Sequence, residues 1–214
     1  MDQDQRMDRL YAVQRHFYDA TRRYYLLGRD RLIEGLPVPA GGSVLELGCG
    51  TGRNLAALRS LRPDLRLCGL DVSARMLETA ACKLKGMDVA LARCKAEELD
   101  LCSHFAVEDG FDAAIFSYAL SMIPDWEPAL EAGLAALKPG GTLAVVDFWG
   151  QGGLPVWLEG AHRRWLKLFG VAIRPELLAY LGNMEREGRA TVELESIRKG
   201  YAFLAWVQKR NHNI

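Results

Sequence analysis

At residues 44–52 the chain reads VLELGCGTG, an apolar run that ends in three closely spaced glycines. SVLELG (43–48) has the length of a buried strand, and RNLAALRSL (53–61) behind it has helical spacing. Gly48, Cys49 and Gly50 therefore turn the chain sharply from strand to helix, where backbone without side chains lets a ligand come close. Open amides at the start of that helix favour an anionic or hydrogen-bond-accepting group. Asp71 stands nineteen residues past Gly52, at the end of the next apolar run, LRLCGLD (65–71). In doubly wound sheets an acid at that place accepts hydrogen bonds from ribose hydroxyls.

The same rhythm continues outward. SARMLETAACKLK (73–85) is a helix with Ser73 as its N-cap, and MDVALARC (87–94) is a third strand. FDAAIFSY (111–118) is a fourth strand, DWEPALEAGLAALKPGG (125–141) a helix closed by Pro and Gly, and TLAVVDFW (142–149) a fifth strand. Strands alternating with helices predict an α/β fold with a doubly wound, mostly parallel sheet. Residues 155–187 read as mostly helical. TVELESI (191–197) and YAFLAWVQK (201–209), separated by Arg198, Lys199 and Gly200, predict a hairpin. The expected organisation is one domain over 1–214. It comprises an N-terminal helical lid (1–35, broken at Gly28), a cofactor-binding core (36–150), a helical insertion (151–190) and a C-terminal hairpin (191–214).

Composition narrows the function. The 214 residues carry 27 Lys+Arg against 27 Asp+Glu, a formal net charge of zero, which argues against a nucleic-acid binder. Half of the residues are hydrophobic and a quarter charged, as expected of an ordered globular chain. The five cysteines form no C-x-x-C pair, so neither a disulfide framework nor a metal site is expected, and a reducing cytoplasm fits. No apolar run approaches the roughly 18 residues of a membrane span. The opening MDQDQRMDRL is too charged for a signal peptide.

Three cofactor classes use a glycine turn of this kind. A phosphate loop needs a Lys after the glycines, and none is present. A dinucleotide site expects G-x-G-x-x-G, whereas here the third glycine comes one residue early, and Glu46 would repel a pyrophosphate. A carboxylate at 46 suits a ligand with positive charge. S-adenosylmethionine has an ammonium, a sulfonium and an adenosine for Asp71.

VLELGCGTG, GLDVSARML (69–77), FDAAIFSYALSMIPDW (111–126) and LKPGGTLAVVDF (137–148) resemble the successive motifs of class I S-adenosylmethionine-dependent methyltransferases. The resemblance implies a seven-stranded sheet whose last two strands are the hairpin. It implies a cofactor site of Glu46, Gly48, Gly50, Gly52 and Asn54 around the methionine part, with Asp71 at the ribose and Val72 and Met76 at the adenine. Ala96, Glu97 and Ser117 complete that set. Many relatives have an acid-alanine pair after the third strand where this chain has Lys95-Ala96-Glu97-Glu98, so Ala96 offers its backbone and Glu97 stands in for the acid.

The acceptor depends on what covers the C-terminal edge of the sheet. HFYDATRRYYLLGRDRLI (16–33) is dense in aromatic and ionic groups and resembles the N-terminus of bacterial betaine-lipid N-methyltransferases. Those enzymes methylate the amine of diacylglyceryl homoserine. The resemblance implies a lid with Tyr18 and Tyr25 near the sulfonium, joined by Tyr118, and with Arg22 and Arg29 toward the lipid. Cation–π attraction from such an aromatic group would hold an amine as its charge becomes fixed. In LPVWLEGAHRRWLKLF (154–169), Trp157 and Trp165 share an apolar stripe with arginines off it, the pattern of an interfacial helix or of one packed on the sheet, and the N-terminal resemblance favours the first. His162 in that helix is a candidate base or substrate contact, with a structural role as the alternative. Asp147, ending strand five, has either an acceptor-orienting or a loop role. The expected protein is thus a cytoplasmic, peripherally membrane-associated N-methyltransferase that meets a lipid made unmethylated by a partner enzyme. The alternatives are a phosphatidylethanolamine N-methyltransferase, a quinone-ring C-methyltransferase, a nicotinamide oxidoreductase, or a cofactor-binding module without activity.

Overall fold

The computed structural model describes residues 26–150, 160, 164 and 170–210. The readings at Tyr18, Arg22, Tyr25, Trp157, His162 and Trp165 therefore lie outside the described residues. Helix α1 (Arg29–Glu34) precedes the repeating units β1 (Ser43–Leu47), α2 (Arg53–Leu61), β2 (Arg66–Asp71), α3 (Ala74–Lys83) and β3 (Val89–Arg93). A 3-10 turn (Ala96–Glu98) and α4 (Leu101–Phe105) lead into β4 (Phe111–Ser117), α5 (Trp126–Ala135) and β5 (Leu137–Phe148). After α6 (Pro175–Arg186) come β6 (Ala190–Ile197) and β7 (Ala202–Lys209).

The seven strands form one sheet in the order β3-β2-β1-β4-β5-β7-β6. The first five are parallel, and β7 runs antiparallel to both β5 and β6, as the hairpin reading predicts. Strand order reverses between β1 and β4, and the crevice above their C-terminal ends is where such sheets take ligands. Strand alternation builds a core on each face. Leu45, Leu47 and Phe116 pack with Trp126 and Leu130 of α5 on one side. Val44 and Ile115 pack with Leu32, Ile33, Leu55 and Leu58 of α1 and α2 on the other.

Local signals set most boundaries. The Ser73 hydroxyl accepts from the Met76 amide and caps α3. The helix expected over 125–141 ends earlier, at Ala135, because Leu137 already pairs with Phe111 across the sheet. The register then shifts before Thr142 pairs with Ala113, so the Pro-Gly-Gly segment lies within β5 as an irregularity instead of closing a helix. No helix among the described residues is long and apolar enough to cross a membrane.

Candidate functional site

A cleft at the strand reversal is assembled from four turns: Gly48 and Gly50 after β1, Asp71 and Val72 after β2, Cys94–Glu97 after β3, and Ser117–Ala119 with Met122 and Ile123 after β4. Met76 of α3 joins the second group. Gly48 and Gly50 both have left-handed backbone, φ 75° and 53°. A Cβ on Gly48 would lie 2.8 Å from the Ala119 methyl, whereas one on Gly50 would meet nothing within 4 Å. Gly48 thus lets two turns abut, and Gly50 borders open space where a ligand has room. Gly52 differs, because its Cβ would strike Leu84 and Ala80, so it serves packing between α2 and the end of α3.

Asp71 is half-buried, and its carboxylate accepts from the Gly50 amide at 2.8 Å and the Ser73 amide at 2.9 Å. The acid read as a ribose contact also braces the glycine turn from the neighbouring strand. It does so from the cleft wall itself. On the β3 side, Lys95 pairs with Glu98 at 2.9 Å, Ala96 is buried and Glu97 is half-buried on the cleft wall.

Glu46 sits behind this wall, 1% exposed. Its Oε1 accepts from Asn54 Nδ2 at 2.7 Å, while Oε2 is buried with no partner. Burial pushes the carboxyl up to about 8, against the opposing pull of the Asn54 hydrogen bond and the Arg29 charge. Asn54 in turn accepts from Arg53, which pairs with Asp30 at 2.6 Å. Glu46, Asn54 and Gly52 thus support the cleft from behind without lining it.

Arg29, read as facing a lipid surface, is instead 9% exposed, with Nε donating to the Leu26 carbonyl and its charge acting on Glu46. A buried guanidinium cannot serve a membrane surface. Tyr118 does line the cleft, but its hydroxyl donates to the Leu27 carbonyl at 2.6 Å. Burial raises its phenol well above the usual value, so it remains a donor and is no base. Its ring stacks edge-on to Phe148, centroids 4.7 Å apart. Ser117 also lines the cleft, and its Oγ is buried without a partner. Asp147 takes the loop role: 1% exposed, it accepts from the Ser121 amide at 2.9 Å and the Phe148 amide at 2.8 Å.

A second cavity of about 370 Å³, marked by no sequence motif, is bounded by Leu26–Arg31, Arg53 and Glu195–Arg198. It adjoins the cleft through Leu27, the acceptor of the Tyr118 hydroxyl. Four arginines (29, 31, 53 and 198) face two acids there, Asp30 and Glu195, and each acid already pairs with one of them at 2.6 Å. Arg29 and Arg31 were visible in the sequence, but Arg198 joins them only through the hairpin.

The comparisons agree with this architecture. Residues 45–143 match the family model described as a methyltransferase domain. The ubiquinone/menaquinone biosynthesis C-methyltransferase UbiE of Desulfotalea psychrophila is 29% identical over 135 residues, covering 61% of this chain and 53% of that protein. The chain thus spans about half the length of the curated relatives it matches. An S-adenosylmethionine-dependent methyltransferase of Thermotoga maritima superposes with a TM-score of 0.68 at 19% identity, over 95% of this chain and 100% of that one. The phosphoethanolamine N-methyltransferase 2 of Haemonchus contortus, solved with phosphomonomethylethanolamine and S-adenosylhomocysteine, superposes with a TM-score of 0.67 at 15% identity. It covers 85% of this chain and 52% of that one. These likenesses establish the class I methyltransferase fold.

Proposed function

We propose that this chain, whose residues 45–143 form a methyltransferase domain, transfers methyl groups from S-adenosyl-L-methionine to the amine of a lipid head group. The carrying observation is the pairing of Gly50 with Asp71. A left-handed glycine borders open space, and the acid that holds its amide ends the next strand. The residues present fit the cofactor. Asp71 puts a carboxylate on the cleft wall where a ribose would lie, Gly48 and Gly50 leave room along the backbone, and Val72 and Met76 offer apolar surface for an adenine. The orphaned Ser117 oxygen on the cleft wall is a polar group that the ligand's amino-acid moiety would compensate. S-adenosyl-L-methionine supplies an electrophilic methyl group on a sulfonium.

The protein's part in such a displacement is mainly orientation, desolvation and exclusion of water. The acceptor amine must arrive with its lone pair free, and the protonated Tyr118 phenol cannot take a proton from it. The Tyr118 ring, on the cleft wall, suits a nitrogen whose charge becomes fixed as methyls accumulate. The arginine-rich cavity beyond Leu27 supports an acceptor with an anionic group near its amine, such as the carboxylate of diacylglyceryl homoserine. A quinone-ring acceptor, the second reading, is favoured by the similarity to UbiE but makes no use of the excess of arginines over acids in this cavity. The diacyl chains place the reaction at a membrane surface, with the unmethylated lipid supplied by a partner enzyme.

Mass analysis of lipids after co-expression with an enzyme that makes diacylglyceryl homoserine tests the acceptor. Mono-, di- and trimethylated head groups are expected. Methylated quinone, or phosphatidylethanolamine, with the homoserine lipid unchanged would reject it. Binding of S-adenosylhomocysteine to purified protein tests the cofactor separately.

A further inference from the structure

The turn at 118–123 forms the cleft wall opposite Asp71, and elements distant in sequence hold it. Tyr118 has φ 55°, a conformation that a bulky side chain keeps only when its surroundings fix it. Its amide donates to the Val146 carbonyl at 2.8 Å, and its hydroxyl reaches back to Leu27. The Ser121 amide donates to Asp147, and the Ser121 carbonyl accepts from Ala172 at 2.8 Å. Arg174 completes the set from the start of α6. Its Nε donates to the Leu120 carbonyl at 2.9 Å and its Nη2 to the Ile123 carbonyl at 2.6 Å.

Arg174 does not line the cleft, but Ala119, Met122 and Ile123 do, and its fork spans the backbone that carries them. The guanidinium lies 6.0 Å over the Trp126 ring at the start of α5, and its side chain is only 16% exposed. The turn has little slack, because the Ala119 methyl already abuts Gly48. A shift of a few tenths of an ångström in this wall would therefore reach the glycine turn.

We infer that Arg174 is a positioning residue for the cofactor, setting the 119–123 wall from behind so that Ala119, Met122 and Ile123 meet the ligand in register with the glycine turn. The inference rests on reading the cleft as the S-adenosylmethionine site. It also gives a reason for arginine at 174. A planar fork bridges two carbonyls three residues apart, whereas an ammonium on a flexible stem reaches one at a time.

The test is calorimetric binding of S-adenosylhomocysteine to wild type, Arg174→Met and Arg174→Lys, with melting temperatures measured with and without ligand. Arg174→Met should weaken binding about tenfold and Arg174→Lys about threefold, as one or both charged hydrogen bonds are lost. The ligand-induced rise in melting temperature should shrink in the same order. A purely structural arginine would lower the unliganded melting temperature alone. Should Arg174→Met fail to fold, Arg174→Lys decides. A folded variant that binds within twofold of a binding-competent wild type overturns the inference alone. A wild type that does not bind S-adenosylhomocysteine overturns the cofactor reading on which it rests.

Discussion

Asp71 and Asp147 end β2 and β5 and do the same mechanical work on opposite walls of one cleft. Each carboxylate bridges two backbone amides, Gly50 and Ser73 for Asp71, Ser121 and Phe148 for Asp147. Their surroundings separate them. Asp71 is half-buried on the cleft wall, so it can brace a turn and address a ligand at once. Asp147 is sealed, and burial pushes it up to about 6 against the pull of its hydrogen bonds and of Arg174. Exposure to the cleft, rather than residue type or strand position, separates an acid open to a ligand from one that only braces.

Gly50→Val tests whether the cleft takes a ligand at all. Its branched side chain would occupy the open space beside the turn and would also need left-handed backbone. Binding of S-adenosylhomocysteine should fall by about a hundredfold or more, since the ligand's own volume is taken. Calorimetry on the folded variant reads this directly, and near-normal affinity would remove the loop from the site. Asp71→Ala is next. It loses both the brace and the ribose acceptor, so affinity should drop roughly ten- to a hundredfold, at about 1–3 kcal/mol for lost charged hydrogen bonds. Unchanged affinity would make Asp71 a brace like Asp147 and erase the contrast.

Much of the Asp71 wall was legible in the sequence, and little of the other. Strand, glycine turn, helix and acid occur within 44–71 as one local unit, strand–helix alternation predicts the parallel sheet, and two β-rich runs three residues apart predict the hairpin. The Asp147 wall is built from Leu27, residues 118–123, Asp147 and Arg174, contacts 26 to 91 residues apart that no local pattern encodes. The burial of Arg29 was not legible, because an arginine on an amphipathic segment ordinarily faces water, and only the fold sets it near the buried Glu46. The α5 boundary was misread because the pairing of Leu137 with Phe111 overrides the helix stop written in Pro139-Gly140.

Glu46 sharpens the contrast with a third acid, buried behind the Asp71 wall and held at about 8. Near pH 7 it is mostly protonated, and a ligand that brings positive charge near it would favour the ionised form. Binding of S-adenosylmethionine at pH 7 should therefore release a fraction of a proton, up to about one. Calorimetry in two buffers of different ionisation enthalpy measures it, and Glu46→Gln should abolish the release. No buffer dependence in the wild type would show that this acid does not sense the ligand.

Asp147→Asn should have the smallest effect on binding and a distinctive effect on stability. Because the folded value, about 6, lies above the ordinary 3.8, the native state holds this proton more tightly than the unfolded chain does. The group's contribution to stability is thus fully present below about pH 4 and is lost as pH rises through about 6. Asparagine is neutral at every pH and carries no such loss. Whichever way its amide turns, however, one of the two backbone amides loses its acceptor, a cost that does not vary with pH. The stability of Asp147→Asn relative to wild type should therefore climb by on the order of 1–3 kcal/mol between pH 4 and pH 7. Affinity for S-adenosylhomocysteine should stay within about threefold of wild type, since Arg174 and Ala172 still hold the turn. Denaturant titrations of both proteins across that range decide the matter. A gap that does not move with pH would mean that Asp147 ionises as freely as an exposed acid, and that burial is not what sets it apart from Asp71.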